Sequence, residues 1–161
     1  MIVCTFEDGG KGKLRHITVN TIIFNIQKNK ILLIKRSPKY SEPNKWGPPG
    51  GFMSRDETLE QAAIRETREE TGYKIQNVML IRINDNPNRP KEDRQNVDFI
   101  FIGQAHEQES RHDDEISAVS WFHIDKLPLE EDVAFDHFDN ITLCIEYMKN
   151  SFPVPVIGKL P

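Results

Sequence analysis

The chain has 161 residues, 37% hydrophobic and 29% charged, a balance that suits one soluble domain around a single core. Its net charge of -4 supplies no global attraction to DNA or anionic lipid, although a compact basic patch could still hold a polyanion. No apolar run approaches the roughly 20 residues of a membrane helix, and the first residues lack the basic flank and apolar stretch of a secretory signal.

Cys4 and Cys144 lie far apart without the ligand spacing of a zinc site or a disulfide framework. Together these features predict one domain over residues 1–161 with reduced thiols, working in the cytoplasm, with no membrane and no DNA as partner. In chain order, the pattern predicts a strand over Ile2–Phe6, a turn at Asp8-Gly9-Gly10 and a β-branched strand over Ile17–Ile26. Gln27–Lys30 is a polar turn, and Ile31–Ile34 is its return strand. Four prolines between Ser37 and Gly51 (Pro38, Pro43, Pro48, Pro49) predict an ordered loop without regular structure. Thr58–Thr71 is the clearest helix, with Thr58 and Gln61 at capping-box spacing and Gly72 where a C-terminal stop belongs.

Short strands follow at Val78–Ile83, Val97–Gly103 and Ile116–Phe122, the first two separated by a polar loop over Asp85–Arg94. Asp136–Lys149 places apolar residues at helical spacing, and an apolar, proline-bearing tail over 151–161 is free to pack on the surface or on a partner. Strands outnumber helices, which favours an α/β or α+β sandwich with helices covering a mixed sheet.

The chemistry is carried by the first helix. At about 100° per residue, Ala62 and Ala63 bracket Leu59, while Glu66 and Glu70 each fall about 20° from it and Glu69 about 80° away. The carboxylates therefore continue the line of the apolar side chains. Like charges that close repel, and burying them costs several kcal/mol, so a cation should offset the cost. Hard oxygen donors at i, i+3 and i+4 suit Mg²⁺ or Mn²⁺. The plainer alternative is a solvated acidic face with Arg65 and Arg68 as ion-pair partners.

Upstream, Pro48-Pro49-Gly50-Gly51 allows close backbone approach to an ion or phosphate. Gly51, Glu57, Arg65-Glu66, Glu69-Glu70 and Gly72 then fall at the spacing Gly-x5-Glu-x7-Arg-Glu-x2-Glu-Glu-x-Gly. The segment GFMSRDETLEQAAIRETREETGY, residues 51–73, closely resembles the Nudix box. The hairpin ending in Lys35-Arg36, the Lys45-Trp46 pair and the later Glu115…Trp121-Phe122 extend the resemblance over most of residues 17–149. One soft departure is Thr67, where the family usually carries an aliphatic residue.

The resemblance implies an α/β/α sandwich with a mixed central sheet and a Mg²⁺-dependent (or Mn²⁺-dependent) hydrolase of nucleotides. It implies Glu66, Glu69 and Glu70 as metal ligands, joined by the Gly50 carbonyl and Glu115. Glu66, Glu69 and Glu115 are the catalytic candidates, with the general base taken from the helix or from the later loop. Gly51, Glu57, Arg65 and Gly72 would be structural, Arg65 pairing with Glu57 or a helix carboxylate.

The loop Asp85–Arg94 resembles the ADP-ribose-hydrolysing branch, where Arg89 and Arg94 would grip phosphates; exposed arginines without partners are the alternative. Arg36 and Trp46 complete the expected substrate contacts, with Trp46, Tyr40 and Phe6 as candidates to stack on a base. Arg15 points to phosphates or to solvent, and the five histidines show no ligand spacing. The expected function is cleavage of a phosphoanhydride bond in a nucleoside diphosphate joined to another group, with ADP-ribose or an ADP-sugar favoured. Alternatives are a (d)NTP or dinucleoside polyphosphate pyrophosphohydrolase and a non-catalytic nucleotide sensor. The family also includes many homodimers.

Overall fold

The computed structural model describes residues 2–89, 95–112 and 116–158. An N-terminal hairpin pairs β1 (Ile2–Thr5) with β2 (Lys11–Leu14), a strand that the sequence pattern did not mark. The main sheet comprises β3 (Ile17–Phe24), β4 (Lys30–Arg36), β5 (Trp46–Gly47), β6 (Gly50–Phe52), β7 (Tyr73–Asn84), β8 (Val97–Gln108), β9 (Ile116–His123) and β10 (Val156–Ile157). The helices are α1 (Leu59–Thr71) and α2 (His137–Lys149). The sheet runs β10-β7-β8-β3-β4-β5, with β6 also on β3 and β9 also on β4. Pairs β3/β8 and β7/β10 are parallel and the others antiparallel, so the sheet is mixed.

Alternation along β3 explains the layers. Val19 faces one side, where it packs with Ala62 and Ala63 of α1. Ile22 and Phe24 face the other, against Ile141, Cys144 and Ile145 of α2. The helices thus cover opposite faces, in an α/β/α sandwich. Each fully buried isoleucine or leucine in these cores contributes about 1.5–3 kcal/mol of transfer free energy.

The expectation of a loop without regular structure over Ser37–Gly51 needs correction. Prolines 48 and 49 fall between two short strands, so Trp46–Gly47 still pairs with β4, and Gly50–Phe52 pairs with β3. Strand β7 begins five residues before its expected start, because its register shifts three times against β8 and so breaks the two-residue alternation in the polar half. The tail docks on the chain itself, Val156–Ile157 lying parallel to Arg82–Ile83. No helix among the described residues is long and apolar enough to cross a membrane.

Both ends of α1 follow from its sequence. Thr58 Oγ1 accepts the Gln61 N–H at 3.2 Å, and Gln61 Oε1 accepts the Thr58 N–H at 2.8 Å, a complete capping box. Gly72 ends the helix at φ 74°, where its N–H donates to the Arg68 carbonyl. A Cβ there would also overlap the Ser110 carbonyl, so glycine is required twice over. Helix α2 starts one residue later than expected. Asp136 stands at its N-cap without a side-chain cap bond, because its carboxylate is engaged by Arg89 and Asn84.

Candidate active site

A cleft of about 470 Å³ opens where β6 crosses β3 and the start of α2 approaches the end of β4. Its acidic wall holds Glu66 and Glu70 of α1 beside Gly50 and Gly51. The glycines make this approach feasible: a Cβ on Gly51 would sit 2.6 Å from the Glu66 carboxylate. The Gly50 N–H donates to Glu70 Oε2 at 2.7 Å. Glu69 does not join them. It lies in a second groove on the outer side of α1, beside Arg65, Arg68 and Arg111, with 52% of its side chain exposed.

The buried residues of α1 are Ala62, Ala63, Thr67 and Thr71, so the core face is centred on Ala63 and Thr67 rather than on Leu59. That rotation leaves Glu66 and Glu70 at the edge of the core and sends Glu69 outward. Thr67, the departure from the family pattern, is fully buried behind the helix and accepts the Thr71 hydroxyl on its backbone carbonyl.

Arg65 ties the acids together. Its guanidinium donates to both Glu57 oxygens at 2.6 and 2.9 Å, to Glu66 Oε1 at 2.7 Å, to Glu69 Oε2 at 3.0 Å and to the Phe52 carbonyl at 3.1 Å. These bonds hold the Glu57 carboxyl down at about 2. Burial pushes the Glu66 carboxyl up against the pull of Arg65. Among the described residues no three acidic, histidine or cysteine side chains converge closely enough to enclose a metal on their own. The donors that do share the cleft, Glu66, Glu70 and the neighbouring Gly50 backbone, are all hard oxygens. Glu66 carries a burial cost that a cation would relieve, and the wall therefore fits a divalent ion that also takes oxygens from substrate or water.

The remaining expected contacts fall as follows. Arg36 lines the cleft, its Nε donating to the Ser41 carbonyl at 2.7 Å and its guanidinium standing 5.2 Å from the centre of the Phe135 ring. Tyr40 lines the cleft too. Trp46 packs in the α2-side core with its ring edge-on to Phe122, and Phe6 covers Gly12 in the N-terminal hairpin. Arg89 reaches the cleft from below, but its side chain is 3% exposed and its donors engage Asp136 at 2.6 and 2.9 Å. An expected phosphate grip is thus a buried clamp, because two acids, Asp136 and Asp98, meet that cation from within. Arg15 points neither to phosphates nor simply to solvent; it donates to the carbonyls of Asp85, Gln95 and Asn96. Arg94 and Glu115 lie outside the described residues.

Sequence reasoning missed Thr18, Asn20, Asp98, Phe135 and His137, all of which line the cleft. A signal existed for three of them: Thr18, Asn20 and Asp98 are polar residues in strands whose other positions are largely apolar. Phe135 adopts φ 53°, a left-handed conformation rare for an aromatic residue. Burial pushes the His137 imidazole down, against the pull of the Asp136 carboxylate, which disfavours a cationic phosphate contact there.

A model of the NUDIX domain matches residues 14–143. An ADP-ribose pyrophosphatase of Methanocaldococcus jannaschii is 34% identical over 111 residues, 68% of this chain and 62% of that protein. A NAD-capped RNA hydrolase, NudC, of Photorhabdus laumondii is 34% identical over 80 residues, 49% of this chain and 29% of that protein. The chain therefore spans less than two thirds of the length of either relative. Among solved structures, a NUDIX hydrolase from Nitrosomonas europaea superposes with a TM-score of 0.76 at 25% identity, covering 94% of this chain and 82% of that one.

Proposed function

The chain belongs to the Nudix family, and from that premise we propose that it hydrolyses a phosphoanhydride bond in a nucleoside diphosphate joined to a second group, ADP-ribose or another ADP-sugar being the favoured substrate. The observation that carries this reading is the pairing of Glu66 and Glu70 with Gly50-Gly51 in the wall of one cleft. Its volume of about 470 Å³ falls in the range of small-molecule sites. The similarity to an archaeal ADP-ribose pyrophosphatase supports the choice of substrate.

Mg²⁺, or Mn²⁺, would be held by Glu66, Glu70 and the Gly50 carbonyl, with Glu115 as a further ligand and Glu69, bonded to Arg65 in the outer groove, reaching the ion only through water. When bound, it supplies neutralisation of the phosphate oxygens and acidifies water for attack on phosphorus. Arg65 keeps Glu57, Glu66 and Glu69 in fixed orientations, and the Gly50 N–H does the same for Glu70. Glu66, Glu69 and Glu115 are the groups proposed to accept the proton of the attacking water. Arg36 and Arg94 are the proposed phosphate contacts, while Arg89 supports the floor.

The cytoplasmic setting belongs to the same proposal, supported by the free thiols of Cys4 and Cys144. So does a homodimer, for which the exposed Ile2, Val3, Phe6 and Leu14 of the hairpin offer an apolar surface and light scattering is the check.

A metal-dependent panel of ADP-ribose, other ADP-sugars, (d)NTPs and dinucleoside polyphosphates, with products separated by chromatography, tests the reading. AMP and a sugar phosphate from ADP-ribose are the expected products. Preference for triphosphates with release of pyrophosphate would replace the substrate assignment. Turnover unchanged in Glu70→Gln, with nucleotide binding retained, would favour a sensor.

A further inference from the structure

The floor of the cleft carries polar groups that the proposed hydrolysis does not use. Asp98 of β8 is fully buried. Its Oδ1 accepts the Thr18 hydroxyl at 3.0 Å and the Asn20 Nδ2–H at 2.7 Å. Its Oδ2 lies 3.4 Å from Nη2 of Arg89, which Asp136 holds in turn. Burial pushes this carboxyl up, while Arg89 and the two hydrogen bonds work in the opposite direction.

This arrangement fixes the polarity of two neighbours. A threonine hydroxyl has a single proton, and Thr18 gives it to Asp98, so only lone pairs remain for any other contact. The Asn20 amide must turn its NH₂ toward the carboxylate, which turns its carbonyl oxygen away, toward Gly50. A Cβ on Gly50 would stand 2.8 Å from that Oδ1, so the oxygen lies close to the residue whose N–H binds Glu70. Thr18 and Asn20 are opposite Phe52 and Gly50 in the strand register, and both line the cleft with 8% of their surface exposed.

Next to the acidic wall, the floor therefore presents oxygen acceptors. Phosphate oxygens carry no proton to share with them at neutral pH. Ligand hydroxyls do. We infer that Thr18 and Asn20, polarised by Asp98, read the free hydroxyls of a sugar adjoining the diphosphate and select hydroxylated substrates over their deoxy analogues. A deoxy sugar would cover these acceptors without pairing them, and a buried acceptor left unpaired costs more than a hydrogen bond gains. Asp98 is then a positioning residue, acting through the other two. The inference rests on the proposed hydrolysis for its substrate, but binding alone is enough to test it.

The experiment compares ADP-ribose with two analogues in the presence of Mg²⁺: one lacking the 2′- and 3′-hydroxyls of the adenosine ribose, one lacking the 2-hydroxyl of the terminal ribose. kcat/KM is measured for each and affinity by calorimetry. At least one analogue should be disfavoured by about tenfold, and which one identifies the sugar that sits on the floor. Thr18→Val and Asn20→Leu should each shrink that preference about three- to tenfold. Asp98→Asn should shrink it as well, since an amide lets both neighbours reorient. Affinity for inorganic pyrophosphate, which has no sugar, should stay unchanged in Thr18→Val. Should Asn20→Leu fail to fold, Thr18→Val carries the test. Equal kcat/KM for all three substrates would overturn the inference and leave the hydrolase reading intact. If none is cleaved, the hydrolase reading fails, and equal affinities would then overturn the inference separately. Loss of pyrophosphate affinity in step with the hydroxyl preference would also overturn it, as general collapse of the site.

Discussion

Replacing Asp136 with alanine should cost the fold far more than an ordinary surface charge does. Its carboxylate receives two donors from Arg89, at 2.6 and 2.9 Å, and one from Asn84 at 2.7 Å. The two ionic side chains are 9% and 3% exposed, so water cannot replace what is removed. Truncating one partner of a buried pair leaves an uncompensated charge and costs about 3–5 kcal/mol. For a chain of this size each kcal/mol lowers the thermal midpoint by about 2–4 °C, and Asp136→Ala should melt about 6–20 °C below the parent.

The pH dependence provides the signature. Burial alone would raise the Asp136 carboxyl, but the hydrogen bonds and charge of Arg89 outweigh it and hold the group below its ordinary value of 3.8. A depressed folded-state value means that the stabilisation is present above 3.8 and disappears as pH falls through the lower folded value. Urea unfolding followed by circular dichroism should therefore show a wide gap between parent and variant at pH 7 that narrows below about pH 4. Arg89→Met combined with Asp136→Ala should recover part of the loss, leaving Asp98 without its cation. A loss at pH 7 below about 1 kcal/mol, or a gap that widens in acid, would refute the clamp.

Other outcomes follow from the same structure. The Arg65 hydrogen bond depresses Glu57 from 4.5 to about 2, so its contribution is present above pH 4.5 and is lost between pH 4.5 and 2; Arg65→Ala should flatten that part of the stability curve. Gly72→Ala should cost at least about 1–2 kcal/mol by denaturant titration, since it combines a left-handed backbone with overlap of the Ser110 carbonyl. Chelation with EDTA should abolish turnover and Mg²⁺ should restore it, while Glu70→Gln should lower kcat at least about a hundredfold without shifting the melting midpoint by more than a few degrees. Turnover that survives chelation would remove the metal from the proposal.

Much of the frame was legible in the chain itself. The capping box at Thr58 and Gln61 and the stop at Gly72 bound α1 as the local chemistry requires. The hairpin of β3 and β4 follows its β-branched runs, and α2 follows its helical spacing. What escaped notice depends on partners distant in sequence. The polar half of β7 pairs through register shifts that no local alternation encodes. The true core face of α1 is set by which residues of β3 and β8 it meets, so a reference direction taken from Leu59 placed Glu69 nearer the cleft than it lies. Arg89 read as a phosphate contact because Asp136, 47 residues later, is what engages and buries it. The floor of Thr18, Asn20 and Asp98 joins side chains up to 80 residues apart, and it emerges only when β3 lies parallel to β8.

Arg82 has a bearing on how the chain reaches its final state. Its buried guanidinium finds acceptors in Asn140, 58 residues onward, and in the Gly158 carbonyl, 76 residues onward. During synthesis that second acceptor leaves the ribosome well after β7 itself. Until Val156 and Ile157 arrive to lie along it, β7 is an open margin with unpaired backbone groups, the kind of edge that recruits strands from other molecules. That short segment thus acts as a selvedge, closing the sheet margin at Arg82 and Ile83 against strands of neighbouring molecules.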